Sequence, residues 1–156
     1  MLHAGDEAPD FSLVSDEGET ITLSALRGQP VVFYFYPKDD TPGCTTEAKD
    51  FSTLKSAFDM AGVDILGVSK NSPAQHAKFA TNHALTISLA TDADDSVCAA
   101  FGTWVEKSLY GRKYMGIDRA TFLIDADGRI ARIWRKVKVP GHAQQVLEAA
   151  EALARG

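Results

Sequence analysis

The chain is expected to fold as an α/β protein with a central mixed β-sheet flanked by helices and an N-terminal β-hairpin. Three observations carry that expectation. Val31–Tyr36 and Asp64–Ser69 are short, apolar-rich and β-favouring, as in strands covered on both faces. Segments with apolar residues three or four apart alternate with them, which is helix periodicity. Asp127-Gly128 separates two further apolar runs, a strong hairpin signal.

The elements follow in order. Phe11–Val14 and Thr20–Leu23 flank Asp16-Glu17-Gly18 and predict the N-terminal hairpin. Val31–Tyr36 stops at Pro37, which cannot donate to a strand ladder. Ala48, Phe51, Leu54 and Phe58 predict one helix with a single core-facing stripe. Asp64–Ser69 is the second buried strand, and Pro73 opens a helix through Phe79. Ile87–Ala90 reads as a third strand, and Val97, Cys98 and Phe101 mark a short helix ending near Gly102. Ala120–Ile124 and Arg129–Trp134 pair across Asp127-Gly128. Val146, Leu147, Ala150 and Leu153 make the last helix, with Gly156 just beyond it. Right-handed crossovers after the first two buried strands make that part parallel, and the late hairpin adds an antiparallel portion. This order matches a thioredoxin-like fold, with residues 1–156 expected to form a single domain.

Bulk properties narrow the function classes. The 156 residues are 45% hydrophobic and 24% charged, ordinary for a globular domain able to bury a core. The longest apolar run, Val31–Tyr36, is too short to cross a bilayer. A net charge of -5 argues against a nucleic-acid partner. Met1–Glu7 carries neither a basic stretch nor an apolar block, so no secretory signal is expected. Two cysteines are too few for a disulfide-stapled secreted scaffold. The expectation is a cytoplasmic protein without a membrane partner. His3, His76, His83 and His142 show no ligand spacing with the cysteines and read as ordinary surface or helix residues. No glycine-rich phosphate loop is present. Neither a metal nor a cofactor is expected. Arg132, Arg135, Lys136 and Lys138 read as a solvated hairpin edge.

The chemistry concentrates in Tyr36–Glu47, which joins the first buried strand to the first long helix. In open α/β sheets, sites form outside the carboxyl ends of strands, where this segment falls. Thr41 suits an N-cap and Pro42 the first helical position, which puts Cys44 in the first turn. Its sulfur then meets unpaired backbone N–H groups and the positive helix end. Both favour thiolate, the nucleophilic form. Spacing alone leaves a second reading open, in which Cys44 is a small buried hydrophobe.

Pro37-x-x-x-Thr41-x-x-Cys44 resembles the active-site motif of peroxiredoxins. Phe35-Tyr36-Pro37-Lys38 followed by Thr41-Pro42-Gly43-Cys44-Thr45 is similar to the bacterioferritin comigratory protein, or PrxQ, branch. The likeness extends to Gly5–Phe11, Tyr110–Ile117 and Arg119–Asp125, nearly the whole chain. The resemblance implies a thiol-dependent peroxidase that reduces hydrogen peroxide and organic hydroperoxides to water and alcohols. Cys44 matches the cysteine that becomes a sulfenic acid. Thr41 matches the threonine that orients the peroxide, and Arg119 the arginine that holds the thiolate and polarises the peroxide. Pro37 matches the proline that shields the pocket, and backbone N–H groups of Gly43 and Cys44 would add donors. The implied partner is thioredoxin or another thiol reductant, and the implied state a monomer or weak dimer. Glu47, one turn after Cys44, either buttresses Arg119 or is simply an acid favoured early in a helix.

The sequence departs from the family's pattern at the second cysteine. Relatives carry a resolving cysteine five positions after the first, here Lys49, or in the next helix, near Ala80. Cys98 is the remaining candidate, but its spacing to Phe101 reads as core helix. Two cycles stay open: resolution by Cys98, or direct attack on Cys44 by an outside thiol. A dithiol oxidoreductase is disfavoured because Glu47 stands where Cys-x-x-Cys needs its second cysteine. A peroxide-responsive redox sensor on the same fold is the alternative function. Phe33, Tyr110 and Tyr114 suggest an apolar approach suited to organic hydroperoxides.

Overall fold

A computed structural model describes residues 1–156. The strands are β1 (Ser12–Ser15), β2 (Thr20–Thr22), β3 (Val31–Phe35), β4 (Asp64–Ser69), β5 (Ser88–Thr91), β6 (Trp104–Leu109), β7 (Arg112–Ile117), β8 (Ala120–Ile124) and β9 (Ile130–Trp134). The helices are α1 (Pro42–Thr53), α2 (Lys55–Met60), α3 (Pro73–Asn82), α4 (Ser96–Ala100) and α5 (His142–Arg155). Seven strands form one sheet in the order β2-β1-β5-β4-β3-β8-β9. β3 and β4 pair in parallel, as do β4 and β5, while β8 and β9 run antiparallel to their neighbours. The expected mixed sheet is therefore present, and the N-terminal hairpin joins it through β1 and β5.

β3 is buried along its whole length, and its period-two alternation builds both cores. Val31, Phe33 and Phe35 face one side, packed with Cys98, Phe101 and Phe122. Val32, Tyr34 and Tyr36 face the other, packed with Cys44, Phe51, Phe79 and Val146. Gly67 on β4 is glycine for a packing reason, because a Cβ there would lie 2.9 Å from the Tyr34 ring.

Two expectations needed correction. The helix through Ala48, Phe51, Leu54 and Phe58 is divided at Leu54 into α1 and α2. Leu54 leaves helical geometry at ψ 1°, and its N–H still reaches the Asp50 carbonyl at 3.2 Å. Phe51 and Phe58 still meet in one core, 6.1 Å apart, so the apolar stripe survives the break. The second correction is an addition. Trp104–Ile117, read as no regular element, forms the β6–β7 hairpin, a separate two-stranded sheet. Its turn places Tyr110 and Gly111 at positive φ, 51° and 77°, as a type I′ turn requires. Tyr is an uncommon residue there, and strands exposed on most positions leave no alternation to read.

Candidate active site

The site is assembled at the carboxyl end of β3. Pro37 follows the strand and is exposed. Asp40 takes a left-handed φ of 61° and turns the chain toward α1. Thr41 occupies the N-cap with extended backbone, and Pro42 opens the helix, as expected. The Thr41 hydroxyl, however, makes no capping bond. It donates instead to the Lys38 carbonyl at 2.8 Å. The first-turn N–H groups of Gly43 and Cys44 therefore have no side-chain cap and keep their donor capacity near the sulfur.

Cys44 is the third helical residue and only 1% exposed. Arg119, between β7 and β8, donates from Nη2 to Cys44 Sγ at 3.3 Å and from Nη1 to Glu47 Oε1 at 2.7 Å. The Arg119 backbone carbonyl accepts from Val137 N–H at 3.0 Å, which anchors the base of the side chain. A methyl group on Gly43 would lie 3.3 Å from Arg119 Nη2, so glycine at that position lets the guanidinium close on the sulfur. Glu47 is thus in direct contact with Arg119 as well as early in the helix.

The electrostatics follow from burial. Glu47 is 1% exposed, and its Oε2 has no hydrogen-bond partner. Burial pushes its carboxyl up to about 7, against the pull of Arg119. Burial also disfavours the Arg119 charge, but Glu47 and Cys44 outweigh it and hold the guanidinium above its ordinary value. His142 lies behind, with Nε2 2.8 Å from Thr121 Oγ1. Burial, then the Arg119 charge, push it down to about 4. Near neutral pH it adds no positive charge beside Arg119. This geometry sets the Cys44 sulfur beside a fixed cation, with first-turn backbone donors close by.

Cys44, Gly43, Glu47 and Arg119 are brought together, with Thr41 at the head of the same helix. Cys98 is not. It is fully buried in α4, in the core on the opposite face of the sheet. Burial and the neighbouring Asp92 carboxylate push its thiol well up. Both cysteines are free. A disulfide between them would need Cα atoms within about 7 Å, which a seven-stranded sheet between the two side chains forbids without large unfolding.

Phe33 also fails its expected role. It is completely buried on the Cys98 face and lines no approach to Cys44. Tyr110 is 97% exposed at the β6–β7 turn, and Tyr114 is also exposed. Of the histidines, read as surface or helix residues, His76 and His142 are the helix residues that α3 and α5 bury. Sequence reasoning missed the cluster of Tyr36, Asp39 and His76 beside the Pro37–Thr41 loop. A usable signal existed: His76 lies three residues before Phe79, on the core-facing stripe of α3. Arg135, read as solvated, donates to the Phe101 carbonyl at 3.2 Å and stands over the Phe122 ring. No group of three or more His, Cys, Asp or Glu converges to hold a metal ion. No helix is long and apolar enough to cross a membrane.

Fold and site define a class, thioredoxin-like proteins with a cysteine in the first turn of the helix that follows the central strand. Comparison with known proteins agrees. The AhpC/TSA family matches residues 4–133. Peroxiredoxin Bcp of Bacillus subtilis is 46% identical over 147 residues, 94% of each chain. Peroxiredoxin Bcp of Escherichia coli is 44% identical over 146 residues, again 94% of each. Among solved structures, peroxiredoxin Q of Xanthomonas campestris superposes with a TM-score of 0.89 at 46% identity, covering 92% of this chain and 91% of that one. A bacterioferritin comigratory protein of the same organism, studied for alkyl peroxide reduction, reaches 0.91 at 44% identity, covering 97% and 99%. The chain belongs to the AhpC/TSA family, within its Bcp or PrxQ peroxiredoxins. It is a peroxiredoxin, a thiol-dependent peroxidase.

Proposed function

We propose that Cys44 is the peroxidatic nucleophile. Its thiolate attacks one oxygen of a hydroperoxide, the O–O bond breaks, and the other oxygen leaves as water or alcohol after taking a proton. Cys44 is left as a sulfenic acid. Arg119 stabilises the thiolate and the developing oxyanion, and the Gly43 and Cys44 N–H groups supply further donors. Thr41 orients the peroxide through its hydroxyl, and Pro37 limits the access of bulk water. Glu47 fixes the Arg119 plane. The observation that carries this reading is the guanidinium donating to Cys44 Sγ at 3.3 Å in the first turn of α1.

Recycling runs through an outside thiol. A first thiol attacks the Cys44 sulfenic acid, forming a mixed disulfide and releasing water. A second thiol attacks that disulfide and returns Cys44 reduced. Thioredoxin or a small thiol fits this role, and Cys98, across the sheet, does not take part. The substrates are hydrogen peroxide and organic hydroperoxides, the chain acts as a monomer, and a reducing compartment such as the cytoplasm suits a cycle ending in free thiols.

Intact mass after one equivalent of hydrogen peroxide, without added thiol, tests the reading. The expected result is a gain of oxygen on Cys44 within seconds. No change would overturn the proposal. Loss of two hydrogens would restore Cys98 as the resolving residue. Added thiol should then give sustained turnover; a single stoichiometric oxidation would indicate a peroxide sensor instead.

A further inference from the structure

We infer that the buried Tyr36–Asp39–His76 cluster is a positioning device for Thr41, built by α3 against the catalytic loop. The link is one peptide unit. The Lys38 carbonyl accepts from Thr41 Oγ1 at 2.8 Å, and the N–H on the other side of that peptide bond, that of Asp39, donates to Asn71 Oδ1 at 3.0 Å. The orientation of the Lys38–Asp39 peptide plane therefore sets where the Thr41 hydroxyl points.

That plane is held from the Asp39 side chain. Tyr36 O–H donates to Asp39 Oδ1 at 2.6 Å, and His76 Nδ1 lies 2.7 Å from Oδ2. His76 Nε2 lies 3.0 Å from the Ala90 carbonyl on β5. Both ring nitrogens thus have oxygen partners on neighbouring elements, which fixes the plane of the ring. Asp39, His76 and Tyr36 are all buried. A carboxylate shut away from water and gripped by two donors has one orientation available. A loop residue with this anchoring is unusual, since loop carboxylates ordinarily face solvent. The anchoring is also directional. His76 belongs to the first turn of α3, itself fixed by a capping box between Ser72 and Gln75. At the other end of α3, His83 Nε2 reaches Asp40 at 2.9 Å. The loop between β3 and α1 is thereby tied to α3 on two consecutive residues just before Thr41.

The inference rests on the proposed role of Thr41 at the peroxide. Two rate constants separate the outcomes. Oxidation of Cys44 by hydrogen peroxide needs an oriented Thr41; alkylation of Cys44 by iodoacetamide does not. Asp39→Asn and His76→Gln should each lower the oxidation rate constant about tenfold or more while alkylation changes less than about twofold. In a Thr41→Val background, Asp39→Asn should change oxidation by less than about twofold, because the group it positions is gone. Equal losses in both backgrounds, or alkylation falling in step with oxidation, would show a merely structural role and overturn the inference. If Thr41→Val itself leaves oxidation unchanged, the role of Thr41 fails and this inference falls with it. If Thr41→Val slows oxidation and Asp39→Asn does not, only the inference fails. Should Asp39→Asn and His76→Gln not fold, Tyr36→Phe removes a single donor and decides. A loss of about threefold in oxidation alone is expected, and no loss overturns the claim.

Discussion

At the scale of single residues, the site depends on one cation serving two partners. Arg119 reaches the sulfur with one nitrogen and Glu47 with the other. A planar guanidinium does this where an ammonium cannot, because its donors are held in a fixed fork. The cost lies in Glu47. Its folded carboxyl titrates at about 7 instead of 4.5 because burial disfavours the charge. A group raised in this way contributes stability at low pH that is lost as pH climbs through the folded value. Thermal melts should show the protein losing stability between about pH 4 and 8, by up to ~3 kcal/mol. Glu47→Gln should abolish that dependence. Parallel curves for the two proteins would show that Glu47 does not titrate in this range. The orphaned Oε2 points the same way, since a buried carboxylate oxygen without a donor is costly to keep ionised.

At the scale of elements, the helix N-terminus and its loop do the positioning. The first turn of α1 presents Cys44 with backbone donors and accommodates Arg119 because Gly43 has no side chain. Gly43→Ala is helix-favouring, so stability should hold or rise slightly. Its methyl would nonetheless press on Arg119 Nη2 and shift it by a few tenths of an ångström. The rate of Cys44 oxidation by peroxide should fall by about three- to tenfold with the melting temperature unchanged. An unaltered rate would mean the guanidinium tolerates the displacement. Thr41 sits at the N-cap without capping. Its hydroxyl donates to the loop at the Lys38 carbonyl, and its acceptor sites are not taken by a first-turn N–H.

At the scale of the whole molecule, the sheet is a partition. Alternation along β3 sends Tyr34 toward the Cys44 side and Phe33 toward the Cys98 side. The two cysteines consequently belong to separate cores and have opposite characters, one beside a cation and one buried next to a carboxylate. Cys98→Ala should leave peroxide turnover with an added thiol within about twofold, and lower stability by ~1 kcal/mol through a small cavity. Turnover lost with folding intact would place Cys98 in the cycle after all.

Much of this was legible before any coordinates. Buried strands, helix starts and the Asp127-Gly128 hairpin are local signals, written in periodicity and turn chemistry that act over a few residues. Thr41, Pro42 and Cys44 sit where capping preferences place them for the same reason. The β6–β7 hairpin escaped because its exposed strands carry no alternation and its turn uses a tyrosine. The break at Leu54 escaped because the apolar stripe runs on through it, with Phe51 and Phe58 in one core. By itself, then, the sequence determined the fold class, the place of Cys44 at a helix start and the family resemblance. Only the tertiary structure decided that Arg119 bridges Cys44 and Glu47, that His76 grips Asp39, and that Cys98 lies beyond the sheet. These are contacts between residues far apart in the chain, and burial, which sets their strength, exists only once the sheet has closed over both cores.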